Sequence, residues 1–170
     1  RQIKEKKMEI EIKFKLKNLP IEINNCEKKE IEQGYLCIKP TVRIRKNGSN
    51  YSLNYKWKDK NCIESKAIQN IEYEMYLTEE NYNILRKKVE NNMIVKTRYK
   101  VPLKDGLIAE IDIFHENLEG LMFCEVEFPS IETSENFIQP NWMGEDISFD
   151  KRYDNTLLSK IEKYSEDFFE

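Results

Sequence analysis

The chain has 170 residues, enough for one domain with a proper core and too few for two independent ones. Charged residues make up 35% and hydrophobic ones 39%, yet eight Phe, nine Tyr and two Trp exclude a disordered chain. A net charge of −3 excludes global attraction to nucleic acid or an anionic membrane, so any polyanion site must be a local concentration of basic residues.

Residues 1–7, "RQIKEKK", precede regular alternation and read as a disordered or non-native extension, leaving 8–170 as a single domain. The first strand is "MEIEIKFKL" from Met8, with Glu9, Glu11, Lys13 and Lys15 at one parity. "IEQGYLCI" and "TVRIRK" follow, and Asn47-Gly48 marks a hairpin into "YSLNYKWK". A polar loop from Asp59 leads to the strand "QNIEYEMYL". Thr78 has the chemistry of an N-cap, with Glu79 and Glu80 in the first turn and Arg86, Lys87 and Lys88 near the end. "MIVKTRYKV", "LIAEIDIFH" and "LMFCEVEF" are joined by short turns at Asp105-Gly106 and Glu119-Gly120, so neighbours run antiparallel. A short helix near Ile131 and a terminal helical stripe of Leu157, Ile161, Tyr164 and Phe168 complete the chain.

Cys26, Cys37, Cys62 and Cys124 form no C-x-x-C pair, which disfavours zinc and fits reduced thiols. No apolar run approaches the roughly 18 residues of a membrane span, and cytoplasm is the expected location.

Nearly every strand carries an i, i+2 charge pair: Glu9 and Glu11, Arg43 and Arg45, Glu72 and Glu74, Lys96 and Arg98, Glu110 and Asp112, Glu125 and Glu127, with Lys13 and Lys56 at matching parity. The interleaved residues include Ile10, Ile12, Phe14, Ile44, Ile111, Val126 and Phe128. Two readings fit. One is a half-buried antiparallel sheet with its charged face in water. The other is a closed barrel with charges inside, because the pairs are like with like where a solvated face mixes its charges. Carboxylates at i and i+2 stand roughly 6 to 7 Å apart and repel by about 2 kcal/mol at an effective dielectric near 20. A divalent cation or facing amines relieves that repulsion. Oxygen ligands favour Mg²⁺ or Mn²⁺, and guanidiniums suit phosphate oxygens, so such a barrel would hold a metal and a polyphosphate.

Glu9-x-Glu11-x-Lys13, "TVRIR", Lys56, "IEYE", "KTRY", "EIDIF" and "CEVEFP" stand in the order found in the CYTH, or triphosphate tunnel metalloenzyme, superfamily, which this chain resembles from Met8 to about Lys160. The tail "NWMGEDISFDKRYDNTLLSK" resembles the ending of short bacterial members. The resemblance implies a mainly β fold, an eight-stranded antiparallel β-barrel with peripheral helices, acting on triphosphate compounds with Mg²⁺ or Mn²⁺. It implies that Glu9, Glu11, Glu125 and Glu127 hold the metal, and that Lys13, Arg43, Arg45, Lys56, Lys96 and Arg98 grip phosphates. Glu72, Glu74, Glu110 and Asp112 would form a second acidic cluster for the attacking water, and Lys56 could protonate the leaving group.

His115 shares the parity of Ile111 and Ile113 and is read as structural, as is Trp142; Lys15, Lys58 and Lys100 are either rim attractants or solvated. The expected function is hydrolysis of inorganic tripolyphosphate. Alternatives are thiamine or nucleoside triphosphate hydrolysis, adenylate cyclisation, and a non-catalytic polyphosphate or nucleotide-binding module. The partner is a triphosphate small molecule, with no nucleic acid or membrane, and the chain is a monomer or homodimer.

Overall fold

A computed structural model describes residues 6–169. Nine strands are formed: β1 (Lys7–Leu16), β2 (Glu27–Cys37), β3 (Thr41–Asn47), β4 (Asn50–Lys58), β5 (Ile68–Leu77), β6 (Ile94–Pro102), β7 (Ile108–Phe114), β8 (Met122–Glu127) and β9 (Met143–Asp146). Their order is β5-β4-β3-β2-β6-β7-β8-β1-β9, and a further β5–β1 pairing closes the first eight strands in sequence into a barrel. All pairings are antiparallel. Of the expected extension, residues 1–5 lie outside the described ones, whereas Lys7 opens β1 opposite Glu72.

The closure rests on β1. One edge pairs Glu11 to Lys15 with Glu127 to Phe123 of β8, while the other is shared, Lys7 to Glu11 with β5 and Phe14 to Leu16 with β9. The hairpin between β3 and β4 turns at Gly48, whose φ of +60° is strained for any side chain with a Cβ.

The alternation resolves as a barrel with its apolar side out. Ile10, Ile12, Phe14, Ile111, Val126 and Phe128 belong to a buried core on the outer wall, with Phe137, Ile131 and Trp142 packed over it. Helix α2 (Ile131–Glu135) supplies part of that cover, its N-terminus capped by Ser130 accepting from the Thr133 amide at 3.1 Å. Helix α1 (Glu79–Arg86) starts at the expected cap, where Thr78 Oγ1 accepts from the Asn81 amide. It seats Tyr82 against Tyr51, ring centroids 5.0 Å apart, and ties Tyr82 and Arg86 to Glu32 of β2. Gly34 of β2 permits this side of the wall to pack closely: a Cβ there would stand 2.5 Å from Met93 Sδ and 2.9 Å from Val89 Cγ2.

A second core lies at one end of the barrel. Tyr35, Ile94, Phe114 and Phe123 share the parity of the inward charges but are apolar, and Ile147, Tyr153, Leu158 and Ile161 join them from the tail. The barrel interior is therefore charged along most of its length and plugged in part by aromatic rings at one end.

The tail departs from the expected terminal helix. Helix α3 (Asn155–Leu158) has four residues, followed by turns and a 3-10 segment (Glu166–Phe169). The Asn92 amide donates to the Ser159 carbonyl at 2.9 Å, and the Asn92 and Asn117 side-chain amides both donate to the Ile161 carbonyl. Those carbonyls are bound by the body of the protein, so the helix stops while Leu158 and Ile161 still reach the second core.

Gly34→Val forces Val89 and Met93 aside in a packed wall. We expect a loss of about 1 to 3 kcal/mol, read as a lower urea midpoint with an unchanged denaturant slope.

Candidate active site

The barrel encloses a chamber of about 900 Å³. Glu9, Glu11 and Lys13 of β1 face it, with Arg43 and Arg45 of β3, Lys56 of β4, Glu72 and Glu74 of β5, Arg98 of β6, Glu110 of β7, and Glu125 and Glu127 of β8. Eight basic and nine acidic side chains line it, so it is not simply a positive well. A highly charged anion gains little there without a counter-cation.

Two expected site residues do not reach the chamber. Lys96 and Asp112 have no exposed side-chain surface and pair with each other at 2.6 Å. Arg98 completes the group, with Nε and Nη2 each 2.7 Å from an Asp112 oxygen, Nη1 2.5 Å from Glu110 and Nη2 3.0 Å from Glu125. Burial pushes the Lys96 ammonium down to about 8. Against the cost of burial, Arg98 first and Lys96 second hold the Asp112 carboxyl below its ordinary value. Lys96 and Asp112 thus position Arg98 and touch nothing in the chamber themselves.

The four residues expected as one acidic cluster form two pairs, on strands separated by β1 and β8. Glu72 accepts from Arg43 at 3.3 Å and from Asn54 at 2.8 Å, and Asn54 also donates to Glu74 at 3.1 Å. Glu110 and Asp112 are bound by Arg98.

On β1 and β8 the carboxylates are unequally matched. Glu127 is exposed and pairs with Lys7. Glu125 has Lys13 Nζ at 3.5 Å as well as Arg98, and these cations hold it below the usual carboxylate range despite burial. Glu9 Oε2 is ion-paired with Lys56 Nζ at 2.5 Å, and against the cost of burial Lys56 holds the Glu9 carboxyl below its ordinary value. Glu11, between them, makes no ion pair or hydrogen bond among the described residues, and burial, with Glu125 and Glu9 beside it, pushes its carboxyl up to about 8.

The opposite imbalance occurs on β3. Among the described residues Arg45 hydrogen-bonds only Gln33 Oε1, at 2.9 and 3.1 Å, and burial beside Arg43 and Arg98 lowers its guanidinium to about 10. Arg43 Nε is buried and has no acceptor among the described residues. The chamber thus holds one carboxyl without an ion pair and two under-used guanidiniums at once. No group of three or more His, Cys, Asp or Glu is gathered for a metal among the described residues, because Glu9, Glu125 and Glu127 are each drawn to a neighbouring amine or guanidinium. The chemistry of the donors still fits a hard divalent cation: they are carboxylates on adjoining strands, Glu11 opposite Glu127, and the Glu11 carboxyl is kept from ionising.

The tail supplies side chains that strand parity could not reveal. Lys13 Nζ donates to the Tyr153 carbonyl at 3.2 Å and stands 4.8 Å over the Phe123 ring, while the Lys13 amide donates to Ser148 Oγ. Lys151, Asp154 and Phe149 line the chamber, with Ile63 and Cys62 of the loop after β4. Asn54 and Gln33 were legible in principle, since both share inward parity with charged neighbours. Lys58 lines the chamber, Lys15 pairs with Glu145 at 3.1 Å, and His115 Nε2 sits 2.7 Å from Thr97 Oγ1, away from it.

An inorganic triphosphatase of Nitrosomonas europaea is 35% identical over 133 residues, spanning 76% of this chain and 83% of the relative. The chain belongs to the CYTH, or triphosphate tunnel metalloenzyme, superfamily. An inorganic triphosphatase of Acetivibrio thermocellus is 35% identical over 97 residues, 56% of this chain and 60% of that one. The crystal structure of an inorganic triphosphatase superposes with a TM-score of 0.64 at 32% identity, covering 89% of this chain and 93% of its own. A Hippeastrum protein described as a putative adenylyl cyclase with a dominant triphosphatase activity shares the fold, with a TM-score of 0.54 at 15% identity, covering 75% of this chain and 82% of its own. No protein-family model matches the chain. Among the described residues no helix is long and apolar enough to cross a membrane.

Asp112→Ala strands Lys96 and leaves Arg98 with fewer acceptors, so we expect a loss of about 3 to 5 kcal/mol. Lys96→Met keeps the Arg98–Asp112 pair and should cost less than half as much. Guanidinium denaturation of both variants reads the difference.

Proposed function

We propose that this chain hydrolyses triphosphate compounds in the barrel chamber, with inorganic tripolyphosphate as substrate and Mg²⁺ or Mn²⁺ as companion ion. Family membership and relatives named inorganic triphosphatases support triphosphatase-type hydrolysis. The observation carrying the finer reading is the double imbalance: among the described residues Glu11 makes no ion pair, while Arg45 meets only a neutral amide and Arg43 Nε has no acceptor. A metal–polyphosphate complex supplies both at once.

Glu9, Glu11 and Glu125, with Glu127 nearer solvent, would hold the ion. When bound it supplies Lewis-acid neutralisation of phosphate oxygens. Arg43, Arg45 and Arg98 grip the chain from β3 and β6, and Arg98 is fixed in place by Asp112. Water attacks a phosphorus in line, the phosphorus–bridging oxygen bond breaks, and the electron pair leaves with the departing phosphate. Positioned cations stabilise the charge that develops on that oxygen. Glu72, Glu74 and Glu110 orient the water from the chamber wall. Asp112, sealed from solvent, acts only through Arg98. Glu9 and Glu11 raise the Lys56 ammonium despite burial, which makes Lys56 a fixed positive charge rather than a proton donor. One observation favours a second reading, an organic triphosphate: Phe149 and Ile63 at the chamber edge are 64% and 67% exposed and could pack against a base.

A substrate panel of tripolyphosphate, pyrophosphate, ATP and thiamine triphosphate with each metal should show phosphate release fastest from tripolyphosphate. Cyclic AMP as main product would replace this reading with a cyclase. Binding without turnover of any substrate would replace it with a binding module. Glu11→Gln and Arg45→Ala should each lower kcat/KM at least about 100-fold, in the range seen for loss of a charge-stabilising contact.

The metal-free protein has its own signature. Unfolded Glu11 ionises near 4.5, whereas the folded carboxyl stays protonated up to about 8, so the folded state binds the extra proton between those values. Stability from Glu11 is therefore fully present below 4.5 and lost as pH rises to about 8. The thermal midpoint of metal-free wild type should fall relative to Glu11→Gln across that window, and Mg²⁺ should raise the wild-type midpoint more at pH 8 than at pH 5.5.

A further inference from the structure

A second cavity of about 110 Å³ opens beside the chamber at the barrel end opposite the aromatic plug. Arg45, Arg98 and Glu110 line both spaces and form the partition between them. Lys28, Lys29 and Lys100 are added here, and the acids are only Glu27 and Glu110, so this space carries a clear positive excess where the chamber does not. Lys29 is lightly engaged, 3.4 Å from Glu27 with both side chains partly in water, and Lys100 makes no ion pair among the described residues.

We propose that this cavity is an orthophosphate site that receives the phosphate cleaved in the chamber. The inference rests on the hydrolytic reading above for the origin of its ligand, but not for its chemistry. Its volume suits one tetrahedral oxyanion and is a small fraction of the 900 Å³ chamber. Three features make it directional. The carboxylates able to hold a divalent ion, Glu9, Glu11 and Glu125, line only the chamber, so a phosphate that has parted from the metal meets ahead of it a lining in which basic side chains outnumber Glu27 and Glu110. Arg45 and Arg98 face both spaces, so a phosphate moves from one side of the same guanidiniums to the other without leaving cationic contact. Lys29 stands opposite Arg98 in the β2–β6 register and Lys100 opposite Glu27, which sets the two amines on adjoining strands around the opening. The cavity thus separates the product from the metal side and draws it to the far mouth.

The test uses the full chain and inorganic phosphate as probe. Phosphate titration of metal-free protein, followed by phosphorus NMR and calorimetry, should show one site. The Lys29→Ala/Lys100→Ala double variant should weaken that binding at least about tenfold, and Lys29→Arg/Lys100→Arg should restore it. In tripolyphosphate assays the alanine variant should show at least about tenfold weaker product inhibition by phosphate, with the first turnover unaltered. Thermal unfolding should match wild type, since Lys29 and Lys100 both lie partly in water at the rim. Unchanged phosphate affinity and unchanged product inhibition in the alanine variant would overturn the proposal. Lysine-dependent phosphate binding in a protein that turns over no triphosphate would keep the site and remove the hydrolytic reading instead.

Discussion

The interior depends on one guanidinium. Arg98 reaches Asp112 with two nitrogens, Glu110 with a third contact and Glu125 with a fourth, and so ties β6, β7 and β8 together from inside the barrel. A planar fork with five donors can do this where an ammonium could not. Charged strand faces turned inward would repel one another without such a centre, and the desolvation of Asp112 is tolerable because both its oxygens accept charge-assisted hydrogen bonds from Arg98 and Lys96. With Asp112 satisfied by Arg98, Lys96 can be sealed against Phe114 with no exposed surface.

From that centre the charge pattern divides into a settled half and an unsettled half. Around Arg98 the carboxylates are fully met. Along β1 and β3 they are not: among the described residues Glu11 makes no ion pair, and Arg45 is hydrogen-bonded only to the neutral Gln33 amide. Natural interiors seldom leave buried charges in that condition, and where they do the missing partner is often a ligand. The same physics that makes the empty chamber costly gives it selectivity, since neither a bare polyanion nor a bare cation resolves both faults.

Strand parity exposed one charged and one apolar face and fitted both a half-buried sheet and a barrel; the family resemblance implied closure. Twelve of the fourteen expected site residues do line the chamber. Lys96 and Asp112 share that parity and still fail to reach it, because parity tells which side of a wall a residue occupies and not how deeply its neighbours bury it. The aromatic plug is not legible for the opposite reason: Phe114 and Phe123 are inward but apolar, so they read as ordinary core. The tail departs from its helical pattern over the last turns. Its stripe of Leu157, Ile161 and Tyr164 suits a helix, but Asn92 and Asn117, distant in sequence, take its carbonyls. Long-range capture of backbone groups leaves no local trace in the sequence.

The pairing of β1 with β8 has a kinetic meaning. The two strands, like β1 and β9, are more than 100 residues apart in sequence, so this seam is among the most non-local contacts in the chain. Loop-closure entropy makes such pairings slow to form. Glu9 and Glu11 meet Glu125 and Glu127 only when that seam closes. The acidic wall therefore takes shape when β8 joins β1, with the closing of the barrel rather than on a finished scaffold.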